Sequence, residues 1–187
     1  MNRCAWVNLK NPLYIRYHDE EWGAPGKSEQ ELYELLILES FQAGLSWECV
    51  LNKREAFCKA YEGFDIEKVC AFDDNKINAL TADASIIRNR LKIASSVTNS
   101  RILKSIISEF GSLRAYFTSF TGIKPIVEPY TLRTTSPLSD SIAADLKKRG
   151  IKFSGSTIIY SFLQAAGFIS AHGPECCLHK TGDEKNP

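Results

Sequence analysis

The sequence predicts an all-α fold, and three observations carry the prediction. Apolar residues recur at helical spacing over long stretches, and Ser, Asp and Gly stand where helices start and stop. No internal repeat, low-complexity block or long flexible linker interrupts them. Ser28-Glu29-Gln30-Glu31 is a capping box that opens a helix running to about Gly44. A second helix is expected from Trp47 to about Tyr61. Asp65 caps a short helix through Phe72, and Asp74 opens another through about Ala82. From Ile86 to about Phe110, Ile87, Leu91, Ala94 and Val97 mark the apolar face of a long amphipathic helix. Ser112 opens a short aromatic helix through Phe120. Three prolines and a Thr-Thr-Ser run between Thr121 and Pro137 predict an extended surface loop. A helix from Ser139 to Arg149 stops at Gly150, after a basic last turn. Ile151 to Gly155 is a tight connector, and Ser156 to about Phe168 is an apolar helix. The expected architecture is one domain, residues 1–187, with irregular ends.

Composition narrows the class without naming a partner. The 187 residues are 44% apolar and 24% charged, values ordinary for a globular domain. No stretch approaches the roughly 20 apolar residues of a membrane span. Met1-Asn2-Arg3-Cys4-Ala5-Trp6 lacks the apolar core of a signal peptide, so an intracellular, cytoplasmic protein is expected. In that setting six cysteines do not imply a disulfide framework. Cys49, Cys58 and Cys70 are expected as core thiols, while Cys4, Cys176 and Cys177 stand at the ends, near histidines. The net charge is +1, and the basic clusters Arg88–Lys92 and Lys147–Lys152 read by default as solvated helix faces. Nothing suggests an obligate dimer, and a monomer is expected.

Glu39 is the most unusual residue. It lies three and four residues after Leu36 and Leu35, hence on their face of the helix. A carboxylate there costs several kcal/mol unless it is paired. Either a fixed partner satisfies it, or it awaits a ligand that brings donors. Trp47 follows the helix-ending Gly44 and places an indole near the same opening. Tyr14, Tyr17 and Trp22 are further aromatics that could stack on a flat base, although Trp6 and Trp22 individually read as core. Cys4 and His18 near one end, with His172 and Cys176 near the other, form a two-thiolate, two-imidazole set that zinc accepts. By spacing alone that signal is weak. The Gly150–Gly155 connector could bring backbone N–H groups to a phosphate, but it reads equally as an ordinary helical corner.

Together these residues resemble a known family. Arg3-Cys4-Ala5-Trp6, Pro12-Leu13-Tyr14, Tyr17-His18-Asp19-Glu20-Glu21-Trp22-Gly23, Glu39 through Trp47 and Lys53-Arg54 stand in the order typical of 3-methyladenine-DNA glycosylase I. Ile86 to Arg90, Lys148 to Phe153, Tyr160 to Ala165 and His172 continue the match over almost the whole chain. The resemblance implies a helix-hairpin-helix DNA glycosylase fold, with the hairpin unit at about 140–166. It implies one structural Zn2+ held by Cys4, His18, His172 and Cys176, clipping segments 1–25 and 168–187, with Cys177 the alternative last ligand. It implies Glu39 as the base-recognising carboxylate that serves catalysis, Trp47 as the stacking ring, and Tyr14 and Tyr17 as pocket aromatics. Lys152, Ser154, Gly155 and Ser156 would anchor alkylated double-stranded DNA, from which 3-methyladenine is flipped and released to leave an abasic site. Gln164 to Ala171 contains no Asp, in keeping with monofunctional chemistry and no lyase step. Ser40, Ser85 and Leu91 depart from glycines common in the family, and Ala171 from a frequent acidic residue. Two other classes compete. A non-catalytic zinc-clipped DNA-binding module has no use for the Glu39–Trp47 pair, and a zinc hydrolase needs an open coordination position.

Overall fold

The computed structural model describes residues 1–128 and 133–179. The remaining parts of the predicted surface loop (129–132) and of the C-terminal clip segment (180–187) lie outside the described residues. Helices dominate. They are α1 (Pro12–Arg16), α2 (Glu29–Gln42), α3 (Trp47–Leu51), α4 (Arg54–Ala60), α5 (Ile66–Cys70), α6 (Asp74–Ala82), α7 (Arg90–Phe110), α8 (Leu113–Thr121), α9 (Pro137–Arg149) and α10 (Ser156–Ala165). Two-residue strands β1 (Ile126–Val127) and β2 (Ile169–Ser170) pair in parallel.

The start signals work as expected. Glu31 accepts from the Ser28 amide at 2.6 Å and Ser28 Oγ from the Glu31 amide at 3.2 Å, closing the capping box of α2. Every residue of α2 from Leu35 to Phe41 is buried, because α7, α8 and α10 pack around it. This central position is what turns Glu39 into an interior residue.

Several expectations need correction. The helix expected over 47–61 is two, α3 and α4, separated at Asn52–Lys53. Asp73, not Asp74, caps α6, and Asn89 caps α7 four residues later than expected. The expected apolar face of α7 holds in part: Val97 is buried and Ile87 and Ala94 pack against the core, but Leu91 is 62% exposed, and the polar Lys92, Ser96, Asn99 and Ser100 share the buried face. Pro137 stands at the first turn of α9, where its missing N–H costs nothing, so the helix begins two residues early. α10 ends at Ala165. Of the three expected core thiols, Cys58 is exposed and Cys49 and Cys70 are half-buried.

Gly167 shows how tightly the chain ends are joined. Its φ is +79°, and a Cβ there would meet the Ala24 carbonyl oxygen at 2.9 Å and that of Gly23 at 3.0 Å. Both obstacles are backbone and cannot swing away. Gly167→Ala is therefore expected to destabilise the protein by about 2–3 kcal/mol, read from urea denaturation. A loss under about 0.5 kcal/mol would mean that the two turns are not in fixed contact.

Candidate functional site

The N-terminal segment makes one local departure from the α-helix, and it matters. Tyr17 to Glu21 form a single π-helical turn continuing α1. The widened turn buries the adjacent Tyr17 and His18 together, at 3% and 0% exposure. Tyr17 faces a cavity, and His18 faces a cluster of cysteines. Arg54 fixes the turn to the protein centre, pairing with Glu21 of the turn and with Glu34 of α2, the latter at 2.7 Å.

The cavity holds about 250 Å³ and is lined by Trp6, Tyr14, Tyr17, Trp22, Glu39, Gln42, Trp47, Ser161 and Gln164. The structure thus brings together Glu39, Trp47, Tyr14 and Tyr17 from three separate segments. The Tyr17 and Trp47 rings lie 5.2 Å apart, and those of Trp6 and Tyr14 5.4 Å. Asn8 and Asn11 each donate to Glu48 Oε1 at 2.8 Å and bind the segment before α1 to the helix that carries Trp47. Glu39 is 3% exposed, and burial alone pushes its carboxyl up to about 8. Among the described residues, Glu39 Oε2, Gln42 Oε1 and Trp47 Nε1 are buried without a hydrogen-bond partner. Two acceptors and one donor converge where no protein group answers them. Burial raises the Tyr17 hydroxyl well above its ordinary range, with Glu39 adding to the effect, so it stays a neutral donor.

Trp6 was expected in the core, yet it is 36% exposed and forms part of the cavity wall with Trp22, 4.9 Å away. The sequence reading did not single out Gln42 or Gln164 as pocket residues. Gln42 was detectable, since it follows Glu39 by three residues on the same helix face. Ser40, a departure from the family pattern, does not line this cavity; its hydroxyl donates to the Ile37 carbonyl at 2.6 Å.

The second cluster lies behind the same wall. One ligand atom from each of Cys4, His18, His172 and Cys176 falls within 4.8 Å of all the others. Cys177 is exposed and not part of this set, and its amide donates to the Asn2 carbonyl. The donor set suits a dication. Burial pushes the Cys4 thiol up to about 11 in the protein alone, with neighbouring Cys176 adding to the effect, so a shared cation is what would make a Cys4 thiolate tenable. Backbone amides of Gly173 and Leu178 point at the sulfurs of Cys4 and Cys176, each at 3.5 Å. Asp19 Oδ1 lies 2.8 Å from His18 Nδ1, which places the ring proton there and turns the Nε2 lone pair to the cluster. Arg3 holds Asp19 at 2.6 Å and, as the largest cause, lowers its carboxyl to about 2. The cluster supports the pocket directly: Trp22 stands edge-on to His172 at 4.7 Å, and Trp6 contacts His18 at 5.3 Å.

The connector between α9 and α10 forms the third region. Gly150 adopts φ +100° and closes α9, its amide bonding the Lys147 carbonyl at 3.0 Å. Phe153 is also left-handed, at φ +57°. A hollow of about 780 Å³ runs along this connector, lined by Lys147, Gly150 to Ser156, Ala143, Ala144 and Leu91. Lys152 and Gly155 are exposed and Ser156 is half-buried, whereas Ser154 is buried. Gly155 offers no side chain to cap α10, so the first N–H groups of that helix face outward. Arg149 is already engaged by Glu109 and Asp145. No described helix is long and apolar enough to cross a membrane.

Comparison with known proteins matches this geometry to one family. The methyladenine glycosylase family model matches residues 6–179. The chain is 40% identical over 183 residues to "DNA-3-methyladenine glycosylase 1" of Escherichia coli (strain K12), covering 96% of this chain and 97% of that one. A crystal structure of 3-methyladenine DNA glycosylase I superposes with a TM-score of 0.91 at 38% identity, covering 96% of this chain and all of that one. A Staphylococcus aureus structure, described as giving the structural basis of 3-methyladenine recognition by this glycosylase, superposes with a TM-score of 0.90 at 34% identity, covering 97% and 98%. The chain belongs to the methyladenine glycosylase family.

Proposed function

We propose that this protein excises 3-methyladenine from alkylated double-stranded DNA by hydrolysing its N-glycosidic bond. The observation that carries the reading is the set of unanswered polar atoms on Glu39, Gln42 and Trp47 inside an aromatic cavity. A flipped purine offers what they lack, donors on its edge and a π face, and the cavity is about the size of one base. Methylation at N3 makes the attached adenine cationic. An ionised Glu39 complements that charge and accepts from the exocyclic amine, while Trp47 and Tyr17 stack on the ring. Normal adenine lacks the charge and does not repay the cost of ionising a buried carboxyl.

A cationic base needs little help to leave. When the bond to C1′ breaks, its electron pair moves to the purine and cancels the positive charge. Water adds at C1′ and releases a proton, leaving an abasic site. No aspartate follows α10 in Gln164 to Ala171, and no amine is needed as a nucleophile, so the reaction is monofunctional. Glu39 acts by selecting and stabilising the cationic base.

The α9–connector–α10 unit is the helix-hairpin-helix anchor in this reading. Lys152 and the amides at Gly155 and Ser156 would hold a phosphate at the α10 N-terminus. Leu45 lies between Gln42 and Trp47, is 42% exposed, and would fill the gap a flipped nucleotide leaves. Cys4, His18, His172 and Cys176 would hold one structural zinc, which supplies cross-linking of the chain ends and no chemistry on DNA. Cys177 is not needed.

Incubation with methylated duplex, with identification of the released bases, tests the proposal. Release of 3-methyladenine and the absence of a borohydride-trapped adduct are expected. An intact duplex would overturn the excision reading, and a trapped covalent adduct would overturn the monofunctional one.

A further inference from the structure

The buried face of α7 holds polar side chains that the pocket and the metal cluster leave unused, Lys92 and Asn99 among them. Lys92 and Asn99 stand seven residues apart, two helical turns, and so share one face of the helix. Both are buried, at 7% and 3% exposure. The Lys92 ammonium donates to the carbonyls of Phe41 at 2.8 Å and Ala43 at 2.5 Å, the last turn of α2. Those carbonyls lead directly into Gly44, Leu45 and Ser46, the turn between the pocket residues Gln42 and Trp47. At the other end, Asn99 grips the α9–α10 connector twice. Its Nδ2 donates to the Lys152 carbonyl at 2.8 Å, and its Oδ1 accepts from the Lys152 amide at 2.9 Å. The ring of Phe153 lies over the Lys92 ammonium at 5.8 Å and joins the two ends.

A buried lysine is costly, and burial lowers its proton affinity. A cation there would be wasteful if only a helix end had to be capped, since a C′ glycine does that without charge. Lys92 instead fixes the turn at the cavity rim, while Asn99, on the same rigid helix, fixes the connector. A duplex held by the connector has to present one nucleotide to the cavity, so the spacing between the two must be held.

We propose that Lys92 and Asn99 make α7 a brace that sets the position of the pocket rim relative to the DNA anchor. They are positioning residues for drawing the base out of the duplex, and they have no part in binding the free base. The inference rests on the glycosylase reading above. In wild-type protein, release of 3-methyladenine checks that reading independently of either residue.

The test compares Lys92→Met with wild type in three assays: single-turnover excision from methylated duplex, affinity for undamaged duplex, and affinity for free 3-methyladenine. Excision is expected to slow by about 10- to 100-fold, as small misplacements do, with both affinities within about twofold of wild type. Lys92→Arg, which keeps the donors, is expected to restore most of the rate. Asn99→Leu, at the other end of the brace, is expected to give the same pattern and carries the test if Lys92→Met fails to fold. Wild-type excision rates in the variants would overturn the proposal. So would a parallel loss of free-base affinity, because it would mean that the residues merely hold the cavity together.

Discussion

Glu39→Gln is expected to lower excision of 3-methyladenine by about 100-fold or more and to make the protein more stable at alkaline pH. Both effects come from one buried carboxyl. Its folded-state value is about 8, raised by burial, whereas in the unfolded chain it titrates in the ordinary carboxyl range. Between those two values the folded protein holds a proton that the unfolded chain has lost. Stability therefore falls as pH rises through that window, and the loss is complete above about 8. Glutamine carries no charge at any pH and escapes the loss. The gap between variant and wild type should be small near pH 4 and reach on the order of 5 kcal/mol by about pH 9. Urea unfolding of both proteins across that range measures it. A constant gap would mean that Glu39 already has a partner in the folded protein.

Activity should show the opposite trend. A cationic base entering the cavity favours the ionised carboxyl and expels its proton. kcat/KM, which reports the free protein, is then expected to rise with pH up to about 8, and this dependence should vanish in Glu39→Gln. On the proposed reading, the stability loss and the selectivity arise from the same group. A pocket that accepts a cationic purine is unfavourable when nothing fills it, and an amide would relieve that strain and discard the discrimination.

Elements marked by local chemistry were legible before the fold was known. Ser28 and Glu31, Asp65, Ser112 and Gly150 act on neighbours within four residues, so their helix ends could be read from the sequence. What depended on distant contacts could not be. The break at Asn52–Lys53 follows the packing of α3 and α4 as separate pieces, and the π-helical turn at Tyr17 exists because two consecutive side chains serve two different sites. The β1–β2 pair joins segments over forty residues apart. On α7 an apolar pattern placed Leu91 inside, but tertiary contacts reward Lys92, Ser96, Asn99 and Ser100 there with hydrogen bonds. Glu39 and Trp47 were recognisable as misfits in local context. Trp6 was not, because only the convergence of both chain ends reveals that its exposure serves a cavity wall.

If Cys4, His18, His172 and Cys176 hold the proposed zinc, Cys4→Ser is expected to abolish metal binding and, with it, base binding. Zinc in the purified protein should fall from about one per chain to near zero, while Cys177→Ser should leave it unchanged. The stability loss should reach about 4 kcal/mol where zinc stands at roughly a thousandfold excess over its dissociation constant. The larger consequence lies in the pocket. Trp6 and Trp22 rest against His18 and His172, and the N-terminal segment also carries Tyr14 and Tyr17. If the four ligands separate, that wall keeps the core packing of Tyr14 and Tyr17 and the Gly23 amide bond to the Ala165 carbonyl, and beyond them the Asn8 and Asn11 contacts to Glu48 and the Arg54 pairs. The side-chain polar contacts are half-exposed, each worth about a kcal/mol. Affinity for free 3-methyladenine should therefore fall at least tenfold in Cys4→Ser, although the residue lies outside the cavity. Retention of full base affinity without metal would show that the wall stands independently of the clip. The contrast with Lys92→Met is the useful one: loss of the clip should weaken the free base and the duplex reaction together, whereas loss of the brace should spare the free base.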